Sequence, residues 1–388
     1  MATRILTLSL TLSALVLVGT PVRAADDNPE YNGRKLTEWD KMLREEQNAR
    51  LRRVALVAMG QIVSENALNS KVVKDIMFAT GRSLKQDSVP SVRKQAAEII
   101  GGMAVKLMED KNADTNSVLI DLNENLRVEK ESDVRKEVAV ALGRFGKEAK
   151  GAVAALTTVL ADKDAATRAA AADTLGRIGV GASGTADALI ALLKETDSTV
   201  RGAAIFALGR IEPDEPSKVA AALLPLVKGE AVVELRRAVL TSLGLLADRS
   251  PATGMGTAVG LQDADVEVRR QAAQAIGKYV GGGKLAEKEL KKAFEEDKDK
   301  QVRGAALRAL CEGFGPDAKM LIPVIVARLK VEPEFDVRIA IIEELGALGA
   351  EGKDAIPALR EAQRDAQTKV REAATGAIKR ITAPKPKT

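Results

Sequence analysis

Apolar residues gather along this chain in short clusters that return at a nearly constant interval, and every cluster carries the same arginine. The ten copies are Arg52, Arg93, Arg135, Arg168, Arg201, Arg236, Arg269, Arg303, Arg338 and Arg371. The steps between them are 41, 42, 33, 33, 35, 33, 34, 35 and 33 residues. A period in that range marks a repeat array rather than one globular core. With the arginine called position r, acids stand at r−6 and r−4, Val at r−1 and small or apolar residues at r+3 and r+4. A small residue follows at r+6, Leu or Ile at r+7 and Gly at r+8. The segments Asp162 to Gly176 and Asp263 to Gly277 are the clearest copies. Positions r−1, r+3, r+4 and r+7 share one face of a helix. The alanines at r+3 and r+4 let another helix come close. Gly at r+8 does the same, at about 1 kcal/mol of helix propensity against Ala. A further Gly at r+11, as in Gly146, Gly179 and Gly349, is a helix stop signal.

A second amphipathic stretch precedes each phrase, for example Ala152 to Leu160, Ala186 to Lys194 and Ala355 to Gln363. Each unit is therefore two helices, A then B, joined by a short acidic turn. Neither helix can bury its apolar face alone, so stacked neighbours must share a nearly continuous core. Pro225, Pro323 and Pro357 fall in A helices. Pro357 suits a first turn, and the other two should bend or shorten their helices. The second and third units run longer, with a polar piece at Glu109 to Asn116 placed at an inter-helix turn. The glycines at 254 and 256 and at 281 to 283 read as turns, since neither cluster matches a phosphate-cradling motif.

The phrase DxDxxVRxxAAxALGxIG resembles the HEAT repeat, in the short bacterial variety first named after phycobilin lyases. The likeness runs from about Leu36 to Ile381. The opening YNGRKLTEWDKML resembles the start of exported bacterial HEAT-repeat proteins. What the resemblance implies is an all-α fold, a right-handed α-solenoid (superhelix) of about ten two-helix repeats. Its motif residues are structural, so it implies no activity. Trp39 is expected to pack within the N-terminal cap, and Thr37 to cap the first helix with Asp40 as a weak capping-box partner.

Composition agrees with helix-on-helix packing: aromatic residues make up 2% of the 388, too few for a typical sandwich or barrel. The first 24 residues are unlike the rest. Arg4 is followed by an apolar stretch from Ile5 to Gly19, and Val22-Arg23-Ala24 puts small residues before a cleavage point at Ala25. This reads as a secretory signal peptide, too short for a comfortable membrane span. The expected organisation is a signal peptide at 1–24, a polar leader at 25–35, the solenoid at 36–381 and a disordered tail at 382–388. Two arginines and no acid leave with the leader peptide, so the formal charge falls from +5 to +3. That is too slight to argue for nucleic acid. The chain is expected to be exported, periplasmic or extracellular, with no membrane span after cleavage.

The search for chemistry returns few candidates. There is no histidine, which removes Ser-His-Asp triads, Cys-His pairs and histidine metal sites. Resemblance to the hydroxylase branch of HEAT-like proteins would bring a di-iron site held by His-Glu pairs, and those histidines are missing. No catalytic residue, cofactor or metal is assigned. Cys311 takes the r+8 position of the eighth repeat, where others carry Gly, and reads as a small buried residue. The recurring charges are the pairs Asp164 and Arg168, Asp197 and Arg201, Asp265 and Arg269, and Asp299 and Arg303. These are expected to form a structural ladder: each acid caps a B helix, and each arginine bridges acids of its own and the next repeat. At r+9 stand Arg144, Arg177 and Arg210, then Leu245, then Lys278, with Arg380 in the last unit. Each reads first as a solvated cation stabilised by the dipole at its helix C-terminus, and stacked repeats would align these cations into a stripe. Phe206 and Arg308 stand at r+5; on a concave face Phe206 would be an exposed anchor, and otherwise it would be core. The function expected is a scaffold that binds another protein along the solenoid surface. A binder of acidic polymer or peptide through the basic stripe is the alternative, and an enzyme or lyase-type subunit is a third.

Overall fold

The computed structural model describes residues 27–384 apart from 66–69, 110–113, 247–253 and 280. The expected signal peptide lies outside the described residues. The described chain is all-α apart from one small hairpin, and it divides between Ala155 and Leu156 into two compact units.

The first unit opens where a polar leader was expected. Strands Glu30–Tyr31 and Arg34–Lys35 pair antiparallel across Asn32-Gly33, both with positive φ (50° and 73°). Asn-Gly is the dipeptide that a tight hairpin turn favours, so the leader is a β-hairpin. Three A/B pairs follow: Leu36–Glu45 with Ala49–Glu65, Ser70–Gln86 with Pro90–Gly102, and Thr115–Val128 with Ser132–Arg144. Trp39 is buried in the first pair, and its indole N–H donates to the Tyr31 carbonyl at 3.2 Å. Thr37 does not cap the helix. Glu38 accepts from the Lys35 N–H at 2.8 Å, and Asn28 accepts from the Thr37 N–H at 3.0 Å. Asp40 instead pairs with Arg44 and Arg82. The extra length of the second repeat forms the short helix Ala104–Glu109, and Asp114 caps the helix that follows by accepting from the Ser117 N–H.

The helix Val153–Val159 runs across the division and serves as helix A of the fourth repeat. In the second unit the B helices are Ala165–Ile178, Ser198–Leu208, Val233–Leu245, Val266–Gly277, Lys300–Phe314, Phe335–Ala347 and Thr368–Thr382. Their A partners are shorter. Pro225 splits one into Pro216–Leu223 and Leu226–Gly229, as expected of a residue with no N–H to donate. Pro323 was also expected to disturb its helix. It stands in the first turn of Ile322–Val331, where a missing N–H costs nothing, as does Pro357 in Ile356–Ala362. The glycine clusters are not plain turns, since Gly254–Thr257 and Gly282–Leu285 are single helical turns. A Cβ on Gly283 would lie 2.3 Å from the Ala309 carbonyl oxygen, so this cluster is a close approach of two backbones. The last helix runs through Thr382, into the expected tail; residues 385–388 lie outside the described residues.

The phrase maps directly onto packing. The r+7 residues Leu142, Leu175, Leu208, Leu243, Ile276, Leu310 and Leu345 are all buried to within 1% exposure. Each contributes on the order of 2 kcal/mol of burial. A Cβ on Gly176 would stand 2.8 Å from the Ala207 Cα, and one on Gly209 would stand 2.9 Å from the Ser242 Cα. The r+8 Gly of one B helix thus faces the r+6 small residue of the next, and the two conserve a gap too narrow for side chains. B helices consequently meet more intimately than A helices within each unit. The r+11 glycines 146, 179 and 349 have φ of 53°, 71° and 53°, the left-handed turn that ends helix B.

Candidate functional site: the arginine ladder and the face of the B helices

Within each unit, the repeat arginine binds forward to the next repeat, except for Arg371 of the last repeat, which bonds within its own. In the second unit the Arg201 Nε and Nη2 donate to both oxygens of Glu230, at 2.8 Å each. Arg236 does the same to Asp263, Arg269 to Asp297, Arg303 to Glu332 and Arg338 to Asp365. In the first unit Arg52 grips Asp87 and Arg93 grips Glu129 in the same way. Every acceptor is the r−6 acid of the following repeat. The remaining Nη1 turns back to backbone carbonyls of its own repeat, at r−6 and usually r−5, as Arg269 does to Asp263 and Ala264. Arg168 makes only one bond to Glu195, at 2.9 Å, and its buried Nε has no hydrogen-bond partner.

This corrects the expected division of labour. The r−4 acids Asp197, Asp265 and Asp299 make no hydrogen bond to an arginine of the ladder. Asp164 accepts from the Thr167 N–H, Asp197 from Thr199 and Val200, Asp265 from Glu267 and Val268, and Asp299 from Gln301 and Val302. They cap the B helices, where exposed N–H groups and the helix dipole favour a carboxylate. An arginine reaches its own repeat through carbonyl oxygens, and Arg135 and Arg371 also donate to the Ser132 and Thr368 hydroxyls. The r−6 carboxylates are therefore held by two kinds of donor, the arginine behind and a backbone N–H ahead, such as Asp265 N to Asp263 at 2.9 Å. Burial pushes the Asp263, Asp297, Glu332 and Asp365 carboxyls up. Hydrogen bonds from the arginines, donors on the backbone and the arginine charges together outweigh it and leave all four below the ordinary carboxylate range.

The r+9 residues Arg144, Arg177, Arg210, Lys278 and Arg380 are all exposed. Their stems lean back over the preceding repeat's glycine: the Lys278 Cδ lies 3.3 Å from where a Gly244 Cβ would be, and the Arg144 Cδ 3.4 Å from the Gly101 position. Gly at r+8 thus makes room for two side chains of the next helix. Arg144 belongs to the first unit, apart from the rest of the row. In the second unit Arg177 is paired with Asp173 at 2.6 Å, and the row passes through Leu245, Glu312 and Ala347. The cations therefore stand as separate points among apolar and acidic positions. Phe206 is neither core nor free. Its ring lies against Gly176, and the Arg210 guanidinium stacks above it, 4.5 Å from the ring centre.

Between the B helices of repeats six, seven and eight the face deepens into a groove of about 280 Å³. Its floor is Gly244, Ala275, Gly277 and Ala309, the same r+6 and r+8 seam. Thr241, Gln271, Gln274, Lys278, Arg308 and Glu312 stand around it. The two glutamines and the threonine escape a reading of the phrase, because r+2 and r+5 vary from copy to copy. Reading those columns down the repeats would have exposed them. Cys311 is half-buried at its r+8 position and faces Glu344, which takes the r+6 place of the ninth repeat. A Gly/small pair is thus replaced here by thiol and carboxyl. Burial and the neighbouring Glu344 push the thiol well above its ordinary pKa.

A family model described as HEAT repeats matches the sequence at residues 121–209, 153–244, 220–311 and 287–379. Together these matches cover more than half of the chain. The chain belongs to the HEAT-repeat family. The HEAT assignment explains the paired helices and the stacking that the ladder ties together. Among solved structures, the crystal structure of an engineered protein is similar at a TM-score of 0.56 and 20% identity. That likeness covers 90% of this chain and 99% of the other, and it carries the fold alone. No curated protein matches the sequence. No helix among the described residues is long and apolar enough to cross a membrane, and no group of three metal-ligating side chains occurs among them.

Proposed function

We propose that this HEAT-repeat chain is an exported, non-enzymatic scaffold that binds another protein along the B-helix face of its second unit. One observation carries the reading. Repeats five to eight present a stacked Phe206–Arg210 pair, a Leu245 side chain that is 49% exposed and an adjoining polar groove, all on helices locked to one another by the arginine ladder. Aromatic and arginine anchors on a rigid support are what protein interfaces use for affinity. Export rests on the composition of residues 1–24 and is tested by N-terminal sequencing of protein recovered outside the cytoplasm, with Ala25 the expected first residue. Binding is tested by affinity capture of the tagged mature chain from its native envelope or medium at low and high salt. A recurrent protein partner that survives high salt and is lost with Leu245→Glu is expected. Repeated capture of nothing above background would sink the proposal.

Binding of an acidic polymer is the second reading, favoured by the exposed cations Arg177, Arg210 and Lys278. The interruptions at Leu245 and Glu312 weigh against a continuous track. Capture that vanishes with salt and yields only anionic polymer would transfer the weight to it.

A further inference from the structure

We propose that the groove between the B helices of repeats six to eight recognises an extended acidic segment of a partner protein, with one carboxylate seated between Lys278 and Arg308. This rests on the scaffold reading above and names the chemistry of what the face holds. The floor includes Gly244, Ala275, Gly277 and Ala309, with the Lys278 stem lying over Gly244 and the Glu312 carboxylate over Gly277. On one side Gln271 donates to the Thr241 hydroxyl at 2.9 Å, which fixes its carboxamide. Gln274 is exposed beside it. Carboxamides offer both a donor and an acceptor, the pair that an extended main chain presents in return.

Charge selects the occupant. Lys278 and Arg308 line the groove against one groove-lining carboxylate, Glu312. Lys278 has no ion pair among the described residues, and its stem is held across Gly244, so its ammonium is presented rather than folded away. Arg308 is exposed, and its charge is felt by the half-buried Glu344. A ligand carboxylate would complete this arrangement, and the exposed Leu245 at the neighbouring r+9 position would take an apolar side chain of the same segment. A sulfated or phosphorylated polymer would satisfy the cations but leave Leu245 and the glutamines without partners.

The test uses the full mature chain and a panel of fluorescein-labelled dodecapeptides in which Asp or Glu alternates with Leu and Ala. Each has a counterpart with the acids replaced by Asn or Gln, and a heparin oligosaccharide serves as the polymer probe. Binding is read by fluorescence anisotropy. Acidic peptides should bind more tightly than their amide counterparts and than heparin. The double variant Lys278→Gln, Arg308→Gln should weaken the acidic peptides by about five- to tenfold and bring them level with the amides. Removing the same charge elsewhere with Lys194→Gln, Lys353→Gln should change nothing, and circular dichroism should be unaltered because all four side chains are exposed. Equal binding of acidic and amide peptides, tighter binding of heparin, or an unchanged affinity in the groove variant would each overturn the proposal. A captured natural partner that binds the groove variant normally would leave the scaffold standing and remove the acidic subsite. Peptide discrimination with no capturable partner would do the reverse.

Discussion

Cutting one rung of the arginine ladder should unzip the chain at that rung, and the rung between repeats eight and nine is the most costly to cut. The Arg303 and Glu332 side chains are 4% and 0% exposed. Glu332 also accepts from Arg328 at 2.7 Å and from the Glu334 N–H at 3.1 Å. Glu332→Ala removes all these acceptors and leaves the Arg303 guanidinium buried without its counter-charge, which costs roughly 3–5 kcal/mol. Glu195→Ala removes one 2.9 Å bond from a carboxylate that is 30% exposed, a loss of about 1 kcal/mol or less. At about 2–4 °C per kcal/mol for a unit of this size, the first variant should melt at least 6 °C lower and the second within about 4 °C of wild type. Because each repeat of a solenoid touches only its neighbours, the damage should be local. Hydrogen exchange should rise in Phe335–Ala347 and Thr368–Thr382 while Ala165–Ile178 keeps its protection. Equal melting losses in the two variants, or a uniform rise across the second unit, would refute the view that the ladder holds repeats together one seam at a time.

The ladder also sets a pH dependence: the depressed carboxyls of Asp263, Asp297, Glu332 and Asp365 stabilise the fold fully above the ordinary carboxylate range and lose that contribution as pH falls through their folded values. Thermal stability should therefore be flat near neutrality and collapse below about pH 4, and a melt unchanged at pH 3 would contradict it. Gly176→Ala should destabilise by about 1–3 kcal/mol through its clash with Ala207, despite a gain in helix propensity. Gly304→Ala, in the same kind of helix with nothing within 4 Å, should stabilise by up to about 1 kcal/mol. Denaturant midpoints that move in the same direction would break that argument. Cys311, its thiol held protonated by burial and Glu344, should react with a chromogenic disulfide reagent at pH 8 far more slowly in the folded chain than in denaturant.

The repeat unit was legible in the sequence because its constraints are local in the chain and copied ten times. The r+7 leucines, the r+8 glycines and the r+11 stops are each demanded by one helix packing on the next. A single period therefore reveals the helix pair, its ends and its core. Caps at Asp164, Asp197, Asp265 and Asp299 could be read for the same reason, since an acid three residues before a helix-borne N–H needs no distant partner. What the period could not reveal was anything decided between repeats. The r−6 and r−4 acids look alike in the phrase, and only stacking shows that one receives the previous arginine while the other closes its own helix. The Asn32-Gly33 hairpin carried a local signal that the polar leader around it masked. The groove over Gly244 and Gly277 was hidden for the opposite reason. Its walls are the variable r+2, r+5 and r+9 positions of three helices, and a surface assembled across about seventy residues of chain exists only once the seams bring those helices together.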